Sequence, residues 1–187
     1  LMRGQEAITK MTEVDPFRVA TYCAIENGAD NYKGIKSLLE VGQEEFAEKY
    51  RRSRSPKSYL KQLPNLAPAQ AGIFLGLVGP LNVYQHSKWA CLHALEQMES
   101  DFANGDIDGA IVCTSNSFED ALLTLRNSRL RQEGSVLTEG AGGLLITSEG
   151  KCQDWKKMMF SEPSANDFGI STGLMTLISK LKGEEDE

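Results

Sequence analysis

Apolar positions along this chain fall in short blocks, and the spacing inside each block predicts its element. Residues 18–25, RVATYCAI, are nearly continuous in apolar character and end at Asn27-Gly28, which predicts a short buried strand. The next thirty residues are polar and charged, with helical stretches over 32–41 and 44–50. Pro64 and Pro68 bracket the start of a further helix, with Asn65 placed to cap it and Gly76 to end it; Gly79-Pro80 then makes a turn. From Ser87 to Ala103, the residues Cys91, Leu95, Met98 and Phe102 recur at spacings of four, three and four, which puts one apolar face on a helix that Asn104-Gly105 stops. Residues 107–114 contain the run AIVC and read as a strand buried on both faces, as in a parallel sheet. Residues 5–12 and 119–126 read as short helices, 140–147 as a strand reached through small residues, and 169–181 as the last helix. Short apolar strands alternating with helices predict an α/β layered domain.

Composition narrows the function classes. At 187 residues the chain is long enough for one core, and a single domain is expected. The net charge of −6 argues against nucleic acid as a partner, because phosphate neutralisation needs a basic surface. Residues 183–187, GEEDE, read as an acidic solvated tail. No apolar run approaches membrane-spanning length, and the first residues hold no signal-peptide core, so a soluble cytoplasmic protein without membrane association is expected.

Cysteines stand at 23, 91, 113 and 152, with no CxxC pair, and the histidines are His86 and His93. That is poor material for a metal site, and neither a metal nor a cofactor is expected. Cys23 and Cys113 lie in the apolar strand blocks and read as small core residues. Gly140 to Gly143 allow close backbone packing; no Lys-Ser/Thr follows them, so they do not form a phosphate loop.

Four segments in order carry a family resemblance. They are Leu63-Pro64-Asn65-Leu66-Ala67 with Leu75-Gly76-Leu77-Val78-Gly79-Pro80; the helix ending Ala103-Asn104-Gly105-Asp106-Ile107-Asp108 with its following strand; Glu139-Gly140-Ala141-Gly142; and Phe168-Gly169-Ile170-Ser171-Thr172-Gly173-Leu174. Together they resemble the N-terminal half of β-ketoacyl synthases in the thiolase-like superfamily, over roughly residues 16–150 and more weakly beyond. The resemblance implies half of a thiolase-like fold, a mainly parallel sheet layered with helices. The family's first strand, ahead of the residue 18–25 strand, and nearly all of its second half have no counterpart here. In the family that half supplies two catalytic histidines and a glycine-rich oxyanion loop.

The family's nucleophilic cysteine lies nine residues after the Gly of the Gly-Pro turn and seventeen before the Gly that ends the next helix. Counting from Gly79 and from Gly105 leads to the same residue, Lys88. Condensation needs an acyl thioester on a thiolate, which the backbone N–H groups and positive end of a helix favour. A lysine there meets that field unfavourably and would form a stable amide. Lys88 is either a pocket-edge lysine or a buried amine able to form a Schiff base. Cys91, one turn deeper, reads as core or as a thiol nucleophile, and His86 as a hydrogen-bonded histidine or a functional group beside the turn; His93 reads as structural.

Tyr84 and Trp89 flank this position and are candidates for lining an acyl channel, while Phe74 reads as core. Arg51, Arg52, Arg54, Lys57 and Lys61 form a basic cluster, either a solvated loop or a patch for an acidic acyl carrier protein, which family members dock through basic residues. The first function expected is a non-condensing, chain-length-factor-like subunit in fatty-acid or polyketide-type synthesis. It would pair through residues 81–84 with a ketosynthase-like partner or a second copy of itself. The alternatives are a small acyltransferase-type enzyme using Cys91, His86 or Lys88, and an interaction protein that keeps only the fold.

Overall fold

The computed structural model describes residues 14–26, 32–53, 55–57, 60, 63–85, 89–118, 124–125, 128–129, 134–147, 155–160 and 166–185. A 3-10 turn, Pro16–Arg18, leads into β1 (Val19–Ile25); the Asp15 carboxylate accepts the Phe17 N–H and caps that turn. Helices α1 (Tyr32–Leu39) and α2 (Gln43–Ser53) follow, then α3 (Leu66–Leu75), β2 (Leu81–Tyr84) and α4 (Ala90–Asn104). After β3 (Gly109–Asn116) come β4 (Val136–Leu137), β5 (Gly140–Thr147), α5 (Trp155–Phe160) and β6 (Asn166–Asp167). A second 3-10 turn, Gly169–Ser171, opens α6 (Thr172–Glu185).

Four strands form the main sheet in the order β2-β1-β3-β5. The first three are parallel and β5 runs antiparallel to β3. The sheet is thus mainly parallel, as expected, and β1 sits at its centre with Val19 to Ala24 all buried. Ala20, Tyr22 and Ala24 of β1 and Ala110 and Val112 of β3 face one layer, made by α4, α5 and α6. Small residues recur where α4 lies on the strands, Ala90 and Ala94 on the helix and Ala20, Ala24 and Ala110 below, which lets the helix approach closely. Leu95, Leu174 and Leu177 fill the layer with almost no exposure.

Two glycines fix the path of the chain. A side chain on Gly79 would bring its Cβ within 2.2 Å of the Val19 carbonyl oxygen, so the turn before β2 can press against β1 only without one. There Val78 N–H donates to Pro16 O and Thr21 N–H to Pro80 O. Gly105 closes α4 at φ +74°, a conformation that side chains disfavour, and donates back to Phe102 O. Just beyond, Arg18 clamps Asp108 through Nε and Nη2, and the same Nη2 donates to Gly105 O.

Several expectations need correction. Arg51 and Arg52 belong to the last turn of α2 and are not in a loop, and the Arg52 guanidinium donates to Glu48 one turn back. The last helix, expected over 169–181, starts at Thr172 after a 3-10 turn and runs to Glu185. Asn65 stands at the start of α3, but its side chain makes no capping bond. Phe74 is exposed instead of core-packed, and Cys113 is only half-buried, whereas Cys23 is sealed. Residues 5–12 lie outside the described residues, and of 119–126 only 124–125 are described, as helix.

Candidate functional site

Parallel strands joined through helices gather their carboxyl ends, and the helix N-termini that follow, on one edge of the sheet, the usual place for a ligand crevice. Here that edge holds the end of β2, the start of α4, the end of β3 and the Gly169–Ser171 turn. His86 and Lys88, which in sequence lie between β2 and α4, are outside the described residues. Trp89 takes the N-cap position of α4, offers no side-chain cap, and leaves its ring exposed against Phe160 of α5, 5.5 Å between centroids and tilted by 55°.

Cys91 lies in the first turn of α4, facing inward with no exposure. Its Sγ donates to Ile170 O at 3.2 Å, so the Gly169–Ser171 turn closes over it. Burial pushes the thiol up to about 11, with the Leu174 backbone and the Thr114 side chain pulling partly the other way. A sealed, protonated thiol that spends its S–H on a carbonyl is a packing group near neutral pH. Beside it Thr114 Oγ1 lies 2.6 Å from Ala24 O and 2.7 Å from Ser171 Oγ, both groups buried. Thr114 has one O–H and gives it to the carbonyl, so Ser171 is the donor between the two hydroxyls. The same turn is therefore tied to α4 through Cys91 and to β3 through Thr114, which also bonds to β1.

Asn116 ends β3 on the same side of the sheet as Thr114. It is 6% exposed, and neither its Oδ1 nor its Nδ2 has a partner among the described residues. Gln85, directly after β2, likewise buries Nε2 without one. Buried amides of this kind are rare in folded proteins and have a hydrogen-bonding capacity left to use. Sequence reasoning missed both, because burial without a partner leaves no mark in the residue pattern.

The structure gives the two aromatic candidates different neighbours. Trp89 meets Phe160, whereas Tyr84 is half-buried and its hydroxyl is raised by burial and then by the charge of Asp101 in the last turn of α4. Tyr22 donates its hydroxyl to the same carboxylate at 2.5 Å, and Gln97 Nε2 donates to the other oxygen at 2.8 Å. Of the basic cluster, Arg51, Arg52 and Lys57 are exposed, and Arg54 and Lys61 lie outside the described residues. Glu44 and Glu45 at the start of α2 and Arg51 and Arg52 at its end also suit the helix dipole. His93 is exposed, with Nδ1 3.7 Å from Glu96 Oε2. Glu139 accepts from Ser117 Oγ and Phe118 N–H, which hold its carboxyl below the usual range; the glutamate of the E-G-A-G segment thus ties the end of β3 to the start of β5.

Among the described residues no group of three or more His, Cys, Asp or Glu could hold a metal ion, and no helix is long and apolar enough to cross a membrane.

No protein-family model matches the chain, and no curated protein matches it. Solved structures do. One, of a type II polyketide synthase acyl-carrier protein in complex with its ketosynthase bound to the hexaketide, aligns over 73% of this chain with a TM-score of 0.57 and 17% identity. The fold is that of the ketosynthases. A β-ketoacyl synthase from Burkholderia phymatum aligns over 72% at TM-score 0.54 and 12% identity, and the ishigamide ketosynthase/chain length factor over 72% at 0.50 and 18%. These alignments take in 40%, 36% and 36% of the respective neighbour chains, so the ketosynthase-type region described here spans well under half their length.

Proposed function

We propose that this chain is a non-condensing, ketosynthase-like subunit of fatty-acid or polyketide-type synthesis, one that pairs with a ketosynthase-like chain. The observation that carries the reading is the state of Cys91. It is the described thiol nearest the turn where a ketosynthase-type fold needs its nucleophile, and it is sealed, protonated and bonded to Ile170 O. By the spacing of the family the sequence resembles, Lys88 would stand at the nucleophile position itself.

The pairing surface is the edge made by β2 and α3. β2 is hydrogen-bonded to β1 on one side and stands at the end of the sheet. Beside it α3, LAPAQAGIFL, is apolar except for Gln70 and exposes Leu66, Ile73 and Phe74, with Val78 and Leu81 adjoining. A helix this apolar, with large side chains exposed, favours a further packing partner, and an open strand edge invites a further strand. Neighbours of this fold are described as a ketosynthase with its acyl-carrier protein and as a ketosynthase/chain length factor. By analogy, Arg51, Arg52 and Lys57 would face an acidic carrier protein, and the unpartnered Asn116 amide would meet the carbonyl groups of an acyl chain.

The test mixes the purified chain with a type II ketosynthase and its acyl carrier protein. Light scattering is expected to give a two-chain particle, and the chain alone is expected to elongate no acyl substrate. Elongation by the isolated chain, or a monomer that no ketosynthase partner shifts, overturns the reading.

A further inference from the structure

The face of the sheet turned away from α4 carries a pair of thiols that the reading above does not use. Cys23 of β1 and Cys113 of β3 are register partners on adjacent parallel strands, so their side chains leave the sheet side by side. Neighbouring strands lie about 4.8 Å apart, inside the roughly 4.4–6.8 Å between Cα atoms that a disulfide spans. Neither residue is in a disulfide. The two differ in access. Cys23 is sealed at the centre of the sheet, whereas Cys113 is half-buried and has Gly143 across from it on β5, a position with no side chain to shield it. They also differ in acidity. Their interaction holds the Cys113 thiol below its ordinary value against its own burial, while Cys23, the deeper group, is pushed up by that interaction and then by burial.

We propose that Cys23 and Cys113 form a cross-strand dithiol site that a hydroperoxide converts to a disulfide across the middle of the sheet. The Cys113 thiolate attacks the outer peroxide oxygen, the O–O bond breaks, and the leaving oxygen takes a proton, as water when the oxidant is hydrogen peroxide. Cys113 is then a sulfenic acid. Cys23 gives up its proton and attacks that sulfur, the S–O bond breaks, hydroxide leaves as water, and the S–S bond forms. Two electrons pass from the two thiols to one peroxide, releasing two waters from hydrogen peroxide or one water and an alcohol from an organic hydroperoxide. Direct register neighbours hold their Cβ atoms slightly farther apart than a relaxed disulfide prefers, at roughly 3.8 Å. The bond therefore forms under strain and is readily reduced, as regulatory disulfides are.

The test treats the full folded chain with one equivalent of hydrogen peroxide and maps its thiols by peptide mass spectrometry. The expected product is a Cys23–Cys113 cross-link with two hydrogens lost, formed faster in the folded chain than in urea and reversed by mild dithiothreitol. In Cys23→Ser, dimedone is expected to trap a sulfenic acid on Cys113; in Cys113→Ser, Cys23 is expected to stay a thiol. A Cys113 that remains reduced, that runs on to sulfinic acid in the unsubstituted chain, or that links to Cys91 or Cys152 instead overturns the proposal. The mapping of the unsubstituted chain decides this even if a variant fails to fold.

Discussion

The layer between the sheet and α4 differs sharply from the edge formed by β2 and α3, although both are apolar. In the layer, Leu95, Leu174 and Leu177 are almost without exposure and Cys91, Thr114 and Ser171 satisfy one another or a backbone carbonyl. At the edge, Ile73 is 74% exposed, and Phe74, Val78 and Leu81 join it at the surface. The first region is closely packed, whereas the second is left uncovered by the described residues. Hydrophobicity alone does not separate them; what the fold places opposite each residue does.

Paired substitutions sharpen that contrast most. Leu95→Ala is expected to cost about 2–5 kcal/mol of stability in urea unfolding. Ile73→Glu should cost the isolated chain no more than about 0.5 kcal/mol, yet abolish the two-chain particle in light scattering; equal losses of stability would break the comparison. Alkaline pH probes the packed side. The Cys91 thiol is raised from 9.0 to about 11, so below pH 9 folded and unfolded chains both hold the proton and stability is complete. As pH climbs from 9 towards 11 the unfolded chain releases its proton first, and stability falls, by about 2 kcal/mol across the window from this group. Tyr22, raised by burial, acts in the same direction. Urea midpoints at pH 8 and pH 10.5, repeated on Cys91→Ala, check the share due to this thiol.

Gly79→Ala tests the seam between the two regions. Its new Cβ has no room beside the Val19 carbonyl, and a loss of about 1–3 kcal/mol is expected from the forced backbone shift; an unchanged thermal midpoint would show that the turn does not press on β1. Asn116→Leu should move stability the other way, by about +1 kcal/mol in urea unfolding, because it removes two buried polar atoms without partners. The smallest effect belongs to Lys88→Ala, expected within about 0.5 kcal/mol of the unchanged chain and neutral in any partner-dependent assay. Borohydride trapping of a carbonyl substrate on Lys88 would show a working amine there.

Much of the fold was legible in the sequence, for reasons the structure makes plain. The strand predicted over 140–147 is β5, and the strand over 18–25 differs from β1 only in Arg18, because short apolar runs between turn residues have few other outcomes. The Cys91-Leu95-Met98 face predicted on α4 is the buried one. Helix α5 escaped notice because six residues, WKKMMF, are too few to show a period, although Trp155 and Met159 bury one face. The two-residue ladder of β4 and β6 carries no pattern at all. Arg51 and Arg52 read as a loop because they open the run RRSRSPK, whose serines and proline signal a turn, although the helix carries on to Ser53. Phe74 read as core because its surroundings in sequence are apolar, and only the fold reveals that nothing described here covers it. The Cys23–Cys113 pairing depends on strand register between distant segments, which residue patterns do not encode.

The central place of β1 has a consequence for how the protein is made. This strand leaves the ribosome before β3, one of its two flanking partners, which lies 90 positions further on. At about 5–20 residues per second, β1 spends on the order of five to twenty seconds without that partner. Through that interval its apolar run is a nascent hydrophobic segment open to chaperones. Closing so long a loop is also what makes non-local sheets slow to fold. Pulse-labelled nascent chains stopped before and after residue 116, compared by protease sensitivity, would show whether the sheet closes only once β3 is free of the tunnel.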